Sequence, residues 1–174
     1  MNDLLELYFL NDFRVILNGQ PIDRFYSTKV QALLALLVVD VDRSFTRSFL
    51  SGLFWPESEE RLALQNLRQA LSQLRQLLRD DKRAIPYLLI TRQSIQWNRA
   101  ANYRLDVAEF LSLLAENAHA DAIRRYAGDL LTGFFVSDAV AFEQWVVVTR
   151  EQLHRKAVSA LETLEAAAES ASDL

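Results

Sequence analysis

The stretch Arg61-Leu62-Ala63-Leu64-Gln65-Asn66-Leu67-Arg68-Gln69-Ala70-Leu71-Ser72-Gln73-Leu74-Arg75-Gln76-Leu77-Leu78-Arg79 has a helical period with two different polar faces. At about 100° per residue, Leu64, Leu67, Leu71, Leu74 and Leu78 fall on one stripe flanked by Ala63, Ala70 and Leu77, the expected core side of a helix over 59–78. Arg61, Gln65, Arg68, Ser72, Arg75 and Arg79 form a second stripe, and Asn66, Gln69, Gln73 and Gln76 a third beside it. These 19 residues hold four arginines and no acid. A merely solvated helix face interleaves glutamate with lysine in stabilising pairs. This face offers only guanidinium, amide and hydroxyl groups.

The flanking sequence places that helix. After the polar connection Asp80-Asp81-Lys82-Arg83, Pro86 precedes a strand over Tyr87–Thr91; Arg92-Gln93 turns the chain into a second strand over Ser94–Trp97. A hairpin with arginine at its tip, directly after an arginine and amide helix, is the layout of a winged helix, in which the helix fills a major groove and the wing reaches a minor groove or backbone. Upstream, Ser27 or Thr28 caps a helix through Val30, Leu33, Leu34, Leu37 and Val38. Arg43-Ser44-Phe45 breaks it, Thr46 or Arg47 opens a shorter helix, and Trp55-Pro56 ends that one. Before these, Leu5, Leu7 and Phe9, then Phe13, Val15 and Leu17, alternate as strands around Asn11-Asp12. Asn18-Gly19 is a hairpin turn leading to a third short strand over 21–25.

Beyond residue 101 the pattern predicts helices only: one through Phe110, Leu113 and Leu114, one from about Ala122 to Leu131 ending at Gly133, and a last from about Ala139 to Ala168 with a frayed tail over 169–174. The expected fold is an α+β N-terminal winged helix (small antiparallel sheet, three helices, C-terminal β-hairpin wing) over 1–99, then an all-α, tetratricopeptide-like helical domain over 100–174.

Composition narrows the function classes. The chain has 174 residues, 51% of them hydrophobic, and no cysteine, which removes thiolate metal sites and thiol nucleophiles. Its four scattered glycines assemble neither a phosphate loop nor a dinucleotide fingerprint, and His119 and His154 have no metal-ligand spacing. The reading is binding rather than catalysis, with no cofactor, no metal, no membrane partner and a cytoplasmic address. A net charge of -4 taken over the whole chain disfavours nucleic acid, yet residues 1–100 carry 13 basic and 11 acidic residues, against 6 and 12 from 101 onward. Within 61–99 alone there are eight basic residues and two acids. That is an electrostatic footprint for phosphates.

Several motifs together carry a family resemblance: Phe13-Arg14-Val15 with Asn18-Gly19-Gln20-Pro21; Lys29-x-Gln31-Ala32-Leu33-Leu34; Leu53-Phe54-Trp55-Pro56; and Asn66 to Arg75. In the second half they continue with Leu105-Asp106-Val107-x-x-Phe110, Tyr126-x-Gly128-Asp129-Leu130-Leu131-x-Gly133-Phe134, and Phe142-Glu143-x-Trp145. From about Leu7 to Leu164 the chain resembles the SARP class of bacterial transcriptional activators, an OmpR-like winged helix followed by a bacterial transcriptional activator domain. Asn11-Asp12 stands where relatives commonly have a glycine. The resemblance implies a sequence-specific activator that binds direct repeats in double-stranded promoter DNA, as a possible homodimer, and recruits RNA polymerase. It also implies that an ATPase module often follows these two domains. The alternative is a protein-interaction or sensor module of such a larger ATPase-containing regulator, with little DNA affinity of its own.

Candidate roles follow residue by residue. Amides suit adenine through paired bonds to N6 and N7, which makes Gln69 and Gln73 base readers and Asn66 a weaker one. The resemblance also puts Gln73 at a base and Gln65, Asn66, Ser72 and Arg75 at the DNA backbone. Arg92 is the wing contact, with Thr91 and Ser94 as lesser phosphate donors, and Trp55 is either core or aimed at a phosphate. Arg61 and Arg68 are open to either DNA contact or an intramolecular salt bridge. Arg47 and Lys29, near helix starts, are further phosphate candidates.

Overall fold

A computed structural model describes residues 3–172. It is a mixed α+β structure whose described residues form two small sheets and six helices. Strands β1 (Leu5–Tyr8), β2 (Arg14–Leu17) and β3 (Gln20–Pro21) form an antiparallel meander, with the β2–β3 turn made by Asn18 and Gly19 at positive φ. The alternation reads as expected: Leu5 and Leu7 are buried while Glu6 and Tyr8 are half-buried on the other face. The third strand is shorter than the expected 21–25. Pro21 has no N–H to donate, and after Ile22 donates to the Val15 carbonyl the ladder ends.

Helix α1 (Thr28–Val39) is capped by Ser27, whose hydroxyl accepts from the Val30 N–H. It is the central helix, with Val30 and every residue from Ala32 to Val38 buried. A helix buried nearly all round needs partners on every side, which the other elements supply. Phe45, expected to be part of a break, belongs to β4 (Phe45–Thr46), paired with a later strand. Thr46 then caps α2 (Arg47–Phe54) through the Phe49 N–H. Helix α3 runs Glu60–Leu77, buries Ala63, Leu67, Ala70, Leu71 and Leu74, and leaves Leu64 only half-buried near its start. Past a 3-10 turn at Asp80–Lys82 come β5 (Leu88–Ile90) and β6 (Ser94–Trp97), which with β4 form a three-stranded sheet in the order β4-β6-β5.

The expectation of helices alone beyond residue 101 is corrected. Tyr103–Leu105 is a strand, β7, parallel to β1 with Leu5 opposite Tyr103, so the first sheet runs β3-β2-β1-β7. Three residues carry too little periodicity to announce a strand; the exposed β1 edge recruits them. The three helices that follow are α4 (Asp106–Ala115), α5 (His119–Arg125) and α6 (Val140–Ser172). The helix expected over 122–131 thus ends at Arg125, and the segment after it lies irregularly against the end of β1. Leu131 donates to Phe9 O, Asn11 to Asp129 O and Thr132 to Asn11 O, while Arg150 of α6 donates to the carbonyls of Leu130 and Leu131. Long-range partners there replace the intrahelical bonds. The tail expected to fray stays helical through Ser172; residues 173 and 174 of that expectation lie outside the described residues.

One core joins the first hundred residues to the rest. Phe9, Phe13 and Phe134 stack with centroids 5.1 and 5.6 Å apart, Phe54 packs on Phe142 at 5.4 Å, and Trp145 donates its indole N–H to Asp40 at 3.1 Å. The Asp106 carboxylate, 5% exposed, accepts from the N–H groups of Phe9, Leu10 and Val107. From the first turn of α4 it ties that helix to the end of β1.

Candidate nucleic-acid interface

The polar side of α3 divides into three rows once its neighbours are placed. Outermost is a ridge of Leu62, Gln65, Gln69, Ser72 and Gln76, all exposed and opposite the buried stripe. On one flank Arg61, Arg68, Arg75 and Arg79 are exposed, and the last three line a cleft of about 620 Å³ between α3 and the β5–β6 hairpin. Arg47 and Lys82 line the same cleft, against one acid, Asp81. On the other flank Asn66 and Gln73 are half-buried and share a shallow groove with Tyr26, Ser27 and Trp55. The sequence wheel grouped Gln73 with Gln69, but they differ in setting: Gln69 stands clear of the fold at the groove's outer edge and Gln73 is half-covered.

Electrostatically the cleft is strongly positive, with five cations against Asp81. Among the described residues no ion pair within 4.0 Å involves Arg47, Arg61, Arg68, Arg75, Arg79, Lys82 or Arg92, whereas Arg83, Arg99, Arg104, Arg124, Arg125 and Arg155 each pair with a carboxylate. The salt bridge left open for Arg61 and Arg68 is therefore absent among those residues. Arg79 sits in the left-handed region, φ 53°, just past the end of α3, where glycine is usual. That conformation costs about 1 kcal/mol for a residue with a Cβ. Asp80 then anchors the turn: its carboxylate, 2% exposed, accepts from the Tyr87 and Leu88 N–H groups and so fixes the start of β5 against the end of α3. Burial pushes its pKa up, against those two hydrogen bonds.

The hairpin tip is organised by side chains. Thr91 Oγ1 accepts from the N–H groups of Gln93 and Ser94 and lies 3.0 Å from Ser94 Oγ, so both hydroxyls are engaged in shaping the turn. Arg92 is exposed at the apex. Arg47, which sequence reasoning treated only as a phosphate candidate, has a structural task as well. Its Nε and Nη2 donate to Thr91 O at 3.2 and 2.9 Å, and its backbone N–H donates to Gln93 O, joining the start of α2 to the tip. Arg47→Ala is expected to cost about 1–2 kcal/mol and to speed amide exchange at 91–94 selectively, read by hydrogen-exchange mass spectrometry. Trp55 is half-buried against Phe54, with the Lys29 ammonium 5.5 Å above its ring. Gln76, absent from the expected contact set, lies on the ridge and accepts from Tyr26 Oη at 3.1 Å. Its place on the amide stripe was the available signal.

No three acidic or histidine side chains among the described residues are grouped to hold a metal ion, and no helix there is long and apolar enough to cross a membrane.

No family model matches the sequence, and no curated protein matches it. Among solved structures the chain is similar to EmbR of Mycobacterium tuberculosis, determined in complex with a low-affinity phosphopeptide, with a TM-score of 0.70 and 19% identity. The two share a fold. The likeness covers 98% of this chain and 48% of EmbR, so the chain spans about half the length of that protein.

Proposed function

We propose that the chain is a sequence-specific DNA-binding transcriptional regulator of the SARP kind: a winged helix over 1–99 whose α3 enters the major groove, and a tetratricopeptide-like helical domain over 100–174 that buttresses it. The observation that carries this reading is a cluster of cations with no carboxylate partner within 4.0 Å among the described residues. It lies on one flank of α3 and across the cleft to the hairpin, beside an amide ridge free of any charge. A helix seated in a major groove presents its ridge to base edges and its flanks to the two phosphate backbones. Here the arginine flank and Arg92 serve one backbone, and the Asn66, Gln73, Tyr26 and Trp55 side serves the other. Activation through RNA polymerase, binding to direct repeats and pairing of two copies belong to the same proposal and rest on the motifs quoted above.

Because β7 pairs with β1 and the aromatic core is shared, the helical half packs directly on the half that carries α3. The test uses the whole chain: selection from a random duplex pool, then mobility titration of the winning duplex at two salt concentrations. Gln69→Ala is expected to cost about 1–3 kcal/mol and relax preference at one base pair. A steep salt dependence with no enriched sequence would leave generic charge only. Absence of binding would favour the interaction-module reading, to which the exposed Val140, Val147, Val148 and Leu161 of α6 lend a surface.

A further inference from the structure

We infer that the base pairs under α3 are A·T pairs, read in the major groove through adenine N6 and N7 by the glutamine ridge and through a thymine methyl by Leu62. This rests on the DNA-binding reading and adds the chemical identity of what is read. Guanine is most often recognised by an arginine or lysine forking onto O6 and N7, and cytosine N4 by a carboxylate. The ridge offers neither. All three arginines of α3 lie on the flank, and two of them, Arg68 and Arg75, line the cleft toward the hairpin together with Arg79 just past the helix end, on the phosphate side of a groove-bound helix. The acids Glu59 and Glu60 precede the ridge at the start of the helix.

What remains facing outward is Gln65, Gln69 and Gln76, with Ser72 between them and Leu62 one turn before. An amide both donates and accepts, matching the acceptor and donor that adenine presents side by side; guanine presents two acceptors to the same amide. Leu62 is a large apolar side chain, 49% exposed on the first turns of a helix whose other leucines are buried or half-buried. In the major groove the apolar feature a base pair offers is the thymine C5-methyl group. Gln76 is held by Tyr26 Oη through its carbonyl oxygen, which leaves its amine end free to donate. Gln65 and Gln69 have both ends free among the described residues, and they make the paired contact.

The experiment begins with the duplex that the full chain selects from a random pool, using two base analogues that alter the major groove and leave Watson–Crick pairing intact. Enriched A·T pairs at the α3 positions are expected. Placing 7-deazaadenine there should weaken binding about tenfold per contacted adenine, and uracil in place of thymine should weaken it a few-fold. Gln69→Ala should abolish the first loss at one position, and Leu62→Ala the second. Enriched G·C pairs at those positions, or A·T pairs whose binding ignores both analogues, would overturn the inference while leaving the DNA-binding reading intact. A pool in which nothing is enriched would overturn both. Circular dichroism of each variant separates lost contact from lost fold.

Discussion

Replacing Arg68, Arg75 and Arg79 together with alanine is expected to weaken binding to every duplex alike, on the order of a hundredfold near 0.15 M salt, and to lower the slope of log K against log salt by about 2.7. The reason is counterion release: each phosphate neutralised frees condensed cations, and the three guanidiniums line one cleft without any carboxylate partner within 4.0 Å. Sequence preference should survive, because these side chains sit beside the ridge rather than on it. Stability should change little, since exposed charges without partners contribute little to folding. Removing Arg79 leaves its left-handed backbone strain in place. Fluorescence anisotropy at several salt concentrations, on the selected duplex and a scrambled one, checks both parts. An unchanged slope would place the phosphates elsewhere.

Replacing Asp106 with alanine is expected to destabilise the whole chain by roughly 3 kcal/mol or more, because the N–H groups of Phe9, Leu10 and Val107 would be left buried without an acceptor. The same carboxylate gives the stability a pH dependence of definite sign. Burial raises its pKa in the folded state, against the three backbone hydrogen bonds that oppose the shift. The folded protein then holds the proton more tightly than the unfolded chain. Stability from this group is therefore greatest in acid and declines as pH rises from the ordinary carboxylate range through the raised value, above which it is flat. Asp40 and Asp80 are shifted the same way by burial, while Asp129, accepting from Tyr126 Oη, is shifted down and works in the opposite sense. Urea titrations of the parent and Asp106→Ala chains between pH 4 and 7 should show a shallower pH dependence in the variant.

Much of the candidate interface was legible in the linear chain because helix periodicity is local. The stripe of Leu67, Leu71 and Leu74, the acid-free arginine row and the amides all follow from one repeat. So do the capping roles of Ser27 and Thr46, which depend on an N–H three residues away. The tip of the hairpin was half legible. Arg92 stands out by position, while the turn built on Thr91 and the brace from Arg47 need residues 44 apart in sequence to meet.

Long-range pairing is what sequence periodicity missed. Phe45–Thr46 and Tyr103–Leu105 are too short to show a period, and they become strands because β6 and β1 offer unpaired edges. Residues 126–131 give up the expected helix for the end of β1 and the Arg150 guanidinium. Composition, charge distribution and the α3 wheel by themselves determined that this chain carries a basic, amide-rich helix before a hairpin, since those properties belong to neighbouring residues. Tertiary structure alone decided which of its amides stand clear, which arginines share a cleft, and that both halves hang on one sheet. Those depend on which surfaces other elements cover, and burial is a property of the packed chain rather than of any one segment.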